Sequence, residues 1–126
     1  MLQDPLRACA LCALLLLPAA PAAAQELAPL NGLEIWAIGE GLVATRFSYE
    51  GGACDRTIKA EVAAPANGIA AVSVPTLRLS EICTMQIVPV DYSGVLAIDP
   101  TTTELEITVL DPDGKPVAKG SVALGP

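Results

Sequence analysis

From Leu33 to the end of the chain, apolar and polar residues alternate in short runs, and glycine or proline punctuates the gaps between them. No stretch sustains a 3.6-residue apolar period, so two-residue periodicity decides the class. The pattern predicts strands at roughly 33–38, 42–49, 54–63, 69–74, 82–90, 95–98, 104–110 and 117–124. That is an all-β fold, a small antiparallel β-sandwich of about seven to eight strands, in which each segment keeps one wet face.

Three hairpins follow from register, because a slip of one residue exchanges the faces of a strand. Gly51-Gly52 suits a two-residue turn with positive φ and sets Tyr49 opposite Cys54, Phe47 opposite Arg56, Thr45 opposite Ile58 and Val43 opposite Ala60. Pro112-Asp113-Gly114 marks the last hairpin, aligning Leu105, Ile107 and Val109 with Val122, Gly120 and Ala118. A three-residue loop at Gly39-Glu40-Gly41 pairs Ile38 with Leu42, Trp36 with Ala44 and Glu34 with Arg46. The opposition of Glu34 and Arg46 favours this register, since unlike charges across a strand pair are stabilising. On the strand 82–90, Cys83, Met85 and Ile87 share an apolar face.

The first 24 residues break the pattern. Arg7 precedes the apolar run Ala8–Leu17, which is followed by Pro18, Pro21 and Ala22-Ala23-Ala24, the layout of a secretory signal peptide cleaved after Ala24. The run is too short for a membrane span. The expected organisation is a signal at 1–24, a lead-in at 25–32 and a β-sandwich at 33–126. Removing residues 1–24 from the 126 leaves 102, enough for one core. Export also decides the cysteines. Cys9 and Cys12 leave with the signal, and the remaining pair, Cys54 and Cys83, is expected to form one structural disulfide in an oxidising compartment. The strand count suits an immunoglobulin-like sandwich only loosely, because the cysteines lie 29 apart with no tryptophan between them.

Charge and composition then narrow the chemistry. The chain has 7 basic and 14 acidic residues, a net charge of −7, and loses one of each sign with the signal. Such a surface repels phosphate backbones and anionic lipid, which argues against nucleic acid and peripheral membrane partners. Histidine is absent, which removes Ser–His and Cys–His nucleophile pairs and the commonest zinc and copper sites. Asp111-Pro112-Asp113-Gly114 resembles a calcium loop only superficially, and turn chemistry accounts for it. Met85 reads as core filler. No cofactor is expected, and the chain is read as non-enzymatic.

One surface feature stands out. In the Gly39–Gly41 hairpin register, Trp36, Ile38, Leu42 and Ala44 form an apolar patch on the outer face, with Arg46, Glu34, Lys59 and Glu61 as its charged rim. Exposed apolar patches with a tryptophan anchor mark interaction sites. Two competing readings stand beside it: the lead-in, with Leu27 and Leu30, folds back over the patch, or a loop of two or four residues turns Trp36 into the core. The functional expectation is an exported module that binds another envelope or secreted protein, or itself. The alternative is a small enzyme inhibitor that presents a loop, either the Tyr49–Asp55 turn or the segment Tyr92–Gly94, from a disulfide-tied scaffold.

Overall fold

A computed structural model describes residues 27–124, so the segment 1–24, read from its sequence as a signal peptide, lies outside the described residues. The described chain is all-β, with ten strands: β1 (Ala28–Pro29), β2 (Asn31–Gly39), β3 (Leu42–Gly52), β4 (Asp55–Thr57), β5 (Glu61–Val62), β6 (Ile69–Val74), β7 (Thr76–Arg78), β8 (Ile87–Ala97), β9 (Glu104–Leu110) and β10 (Pro116–Ala123). One sheet runs β1-β10-β9-β6-β5, a second runs β2-β3-β8, and β4 pairs with β7 as a small ribbon.

The two larger sheets share one core, which makes them the layers of a sandwich. Inward residues alternate along each strand: Val43, Phe47 and Tyr49 of β3, Val90, Tyr92 and Leu96 of β8, and Val72 and Val74 of β6. Leu105, Ile107 and Val109 of β9 have no exposed surface at all. Phe47 stacks on Tyr92 across the β3–β8 pair, with ring centres 5.0 Å apart, within the range of favourable offset pairs.

The terminal hairpin has the anticipated register, with Val109 opposite Ala118, Ile107 opposite Gly120 and Leu105 opposite Val122. Asp111 closes its turn: its carboxylate Oδ1 accepts hydrogen bonds from the N–H groups of Asp113 (2.9 Å) and Lys115 (2.8 Å). The segment 25–32, read as a lead-in, carries β1 and the start of β2. β1 pairs with β10 in parallel, and β6 pairs with β9 in parallel. The sandwich is therefore mixed rather than wholly antiparallel.

The middle of the chain departs from the sequence-based expectation. Gly51-Gly52 is not a turn. Both glycines lie inside β3, opposite Val88 and Ile87 of β8, and neither has positive φ. Gly51 is needed for clearance instead: a Cβ there would lie 2.8 Å from the Tyr49 ring. β8 replaces the segment 54–63 as the partner of β3, so Tyr49 faces Val90 and Phe47 faces Tyr92. The expected strand 54–63 divides into β4 and β5, which join different sheets. The strands expected at 82–90 and 95–98 merge into one that begins at Ile87, running through Gly94 where the Tyr92 phenol fills the space a Cβ would take.

The disulfide Cys54–Cys83 forms, with its Cα atoms 5.9 Å apart. It is half-buried and lies outside the core, tying the β3–β4 junction to the loop after β7. Two backbone hydrogen bonds flank it, Leu79 N–H to the Cys54 carbonyl (2.8 Å) and Ala53 N–H to the Gln86 carbonyl (3.2 Å). Met85, expected in the core, is 98% exposed, because residues 82–86 are irregular and belong to no strand.

Candidate functional site: the outer face of the three-stranded sheet

The hairpin β2–β3 builds the patch. Its turn has two residues, Glu40 and Gly41, with Gly41 at φ +69°. A two-residue turn alone would point Trp36 inward. The register shifts between Ala37 and Gly39, so Gly39 rather than Ile38 faces Leu42. This bulge absorbs one residue and leaves Trp36 opposite Ala44 and Glu34 opposite Arg46, as the charge pairing anticipates.

The consequence is an outward Trp36, 47% exposed, with Ile38 at 50% and Leu42 at 40%. Ala44 is half-buried between Trp36 and Val95, which faces it from β8. Val95 is 56% exposed and extends the apolar row across all three strands. Ala97, opposite Leu42, continues the patch at the sheet's end. Sequence reasoning missed Val95 and Ala97 because it paired β3 with the wrong neighbour. For the same reason Lys59 and Glu61 are not on the rim: Ile58 bonds to Pro75, and Glu61 belongs to β5 in the opposite sheet.

Glu34 and Arg46 do form the rim. Arg46 Nη2 donates to Glu34 Oε1 at 2.7 Å, and both side chains are more than half exposed. The guanidinium carbon also lies 5.8 Å from the centre of the Trp36 ring, at the outer limit of a cation–π contact. The lead-in does not cover the patch within the described residues. Leu30 packs inward, close to Gly120 of β10.

Behind the β2–β3 turn, an open cleft of about 510 Å³ is lined by Ile35, Trp36, Val43, Ile98, Thr102 and Leu124. A second apolar cluster lies at the disulfide end, where Leu79, Ile82, Met85 and Ile87 are all more than 60% exposed. Of the two loop segments expected to serve an inhibitor, Tyr92–Gly94 lies within β8, and Tyr49–Asp55 turns only at Ala53-Cys54, between β3 and β4; Tyr49 and Tyr92 are core residues.

Titratable chemistry is sparse. Burial pushes the Tyr49 phenol up to about 12, with the nearby Asp55 carboxylate adding to the shift. Burial raises Tyr92 as well. Asp99 is held below the usual carboxylate range by hydrogen bonds from the Thr101 side chain and backbone. Among the described residues, no three acidic, cysteine or histidine side chains come together to hold a metal ion. No described helix is long and apolar enough to cross a membrane. Comparison with protein-family models, with curated proteins and with solved structures finds no match.

Proposed function

We propose that this chain is an exported, non-enzymatic β-sandwich module that binds another protein of the cell envelope or extracellular space, or a second copy of itself, through the outer face of β2-β3-β8. The observation that carries this reading is Trp36, half-exposed beside Ile38, Leu42 and Val95 and flanked by the Arg46–Glu34 ion pair. An indole ringed by apolar side chains and bordered by charge has the composition of an interface hot spot. The Cys54–Cys83 disulfide supports an oxidising compartment. Affinity capture from an envelope extract tests the reading. Wild-type protein retains a partner that Trp36→Ala releases while its melting temperature holds, and equal retention by both rejects the patch.

A second reading has its own observation. Ile82 is 91% and Met85 98% exposed, one on each side of Cys83, which the disulfide anchors. A pinned loop with projecting apolar side chains pays little ordering entropy on entering an enzyme cleft, which supports the inhibitor alternative. Inhibition of secreted hydrolases that is lost in Met85→Ala and kept in Trp36→Ala would select it.

A further inference from the structure

Resting on the reading of the outer face as a protein-binding surface, we propose that its partner is a second copy of this chain, docked by antiparallel pairing of β2 with β2 to join two three-stranded sheets into one of six.

The edges of the two sheets are not alike. In the five-stranded sheet, the edge strands β1 and β5 are two residues each, too short to template another chain. β8 is long but guarded: it carries Pro89 and Asp91, and the Thr57 hydroxyl of β4 already donates to the Asp91 carbonyl at 3.0 Å. Proline and inward or edge charges are the usual devices that keep a strand edge unpaired. β2 is less guarded: it is nine residues long, contains neither proline nor lysine, its one charge, Glu34, is engaged by Arg46 of its own sheet, and its two register shifts lie on either side of a regular run, Glu34–Ala37.

The core is also unfinished on that side. The inward residues Val43, Thr45, Phe47 and Tyr49 of β3 are buried, as are Val90, Tyr92 and Leu96 of β8. On β2, the corresponding Leu33 and Ile35 are only half-buried and Ala37 is exposed. A strand laid along β2 covers these residues from below and Trp36 and Ile38 from above.

Charge selects the register. Outward residues must meet outward residues, so the two-fold axis passes through a single β2 position. Centring it on Glu34 or on Ala37 opposes like charges, Glu34 with Glu34 or Glu34 with Glu40. Centring it on Trp36 sets the two indoles against each other and places Glu34 across from Ile38 of the second copy. That arrangement merges both apolar patches and opposes no like charges. Centring on Ile35 is free of like charges too, but it separates the indoles and sets each against a carboxylate. Each chain carries a net charge of −7, so long-range repulsion opposes the dimer and added salt strengthens it.

Sedimentation velocity on the oxidised protein, from about 1 to 100 μM, tests this at low and high salt. The expected result is a monomer–dimer equilibrium that tightens as salt rises. Trp36→Lys places two ammonium groups on the axis and weakens the dimer by about 30-fold or more, the scale of a lost hot spot. Ile38→Lys faces Glu34 of the second copy and holds or tightens the dimer, whereas Ile38→Glu weakens it. These two variants carry the test if Trp36→Lys does not fold. A wild-type protein that stays monomeric across this range overturns the proposal, as does a dimer that treats both Ile38 variants alike. If such a monomer still binds another protein in a Trp36-dependent way, the dimer fails and the binding surface stands. If it binds nothing, both fail.

Discussion

The Arg46 guanidinium lies 5.8 Å from the centre of the Trp36 ring while its Nη2 remains bonded to Glu34. One cation thus serves the face of the indole and the carboxylate two residues before it on β2. All three groups are substantially exposed, so their mutual attraction is screened by water and is worth little to folding, typically under about 1 kcal/mol.

Trp36 is the chain's one tryptophan, which makes its environment directly readable. Acrylamide is expected to quench the wild-type fluorescence readily, as for a half-exposed indole. Iodide, an anion, is drawn to the neighbouring guanidinium, so Arg46→Met should reduce iodide quenching while acrylamide quenching stays the same. The melting temperature should move by only a few degrees, in line with an exposed pair. Quenching that is weak for both agents would place the indole in the core.

A second prediction concerns alkaline pH. Tyr49 is 1% exposed, and its hydroxyl finds no hydrogen-bond partner among the described residues. Desolvation, with Asp55 second, lifts its pKa from 10.0 to about 12. The folded phenol keeps its proton to about 12, whereas the unfolded chain releases its own near 10. The stabilisation is therefore whole below pH 10 and is lost as pH climbs from 10 toward 12. Tyr49→Phe should remove this part of the alkaline decline and leave stability at pH 7 unchanged or improved by up to about 1 kcal/mol, because it deletes an unpaired buried hydroxyl. Melts of both proteins between pH 8 and pH 11.5, roughly spanning the unfolded tyrosine titration, make the comparison.

What the sequence made legible is local. At Asp111–Gly114 and at Glu34–Arg46, the residues that define each pairing lie within one hairpin, so turn chemistry and charge suffice to fix register. β3 finds its second partner 35 to 55 positions away, Gly52 with Ile87 at one end (87 − 52 = 35) and Leu42 with Ala97 at the other (97 − 42 = 55). No local rule carries that choice. Gly51-Gly52 looked like a turn because glycine permits positive φ, but glycine also permits close approach, and alternation alone does not separate the two uses. Met85 misled for a related reason: it stands at the right spacing beside Cys83 and Ile87, yet the strand begins only at Ile87. The Trp36 patch was legible in β2 and β3 and invisible in β8.

The two uses of glycine make a sharp contrast at adjacent positions. A Cβ at Gly51 meets the packed Tyr49 ring at 2.8 Å and Val90 at 3.0 Å. At Gly52 it meets the Asp55 carboxylate, the end of a side chain that can swing aside. Gly51→Ala should destabilise by roughly 1–3 kcal/mol, the usual cost of overpacking, and Gly52→Ala by clearly less. Urea titration of the two variants decides it. Equal losses would point to a shared backbone requirement, as in a turn.

The disulfide and the loop it anchors separate global stability from surface chemistry. Cys54–Cys83 closes a loop of about 30 residues, so its reduction should lower unfolding stability by about 3–4 kcal/mol through the entropy of the unfolded chain. Neither sulfur belongs to the core cluster. Cys54→Ser/Cys83→Ser is therefore expected to keep the strand signature in circular dichroism and the Phe47–Tyr92 near-ultraviolet signal, while amide exchange quickens across 79–86. Met85, on that loop and 98% exposed, should be oxidised by dilute peroxide at the rate of a free methionine, with the melting temperature of the sandwich unchanged. A peripheral loop predicts fast oxidation without unfolding. Slow oxidation, or oxidation that lowers the melting point, would mean that residues 82–86 pack against a sheet and that β8 begins earlier than Ile87.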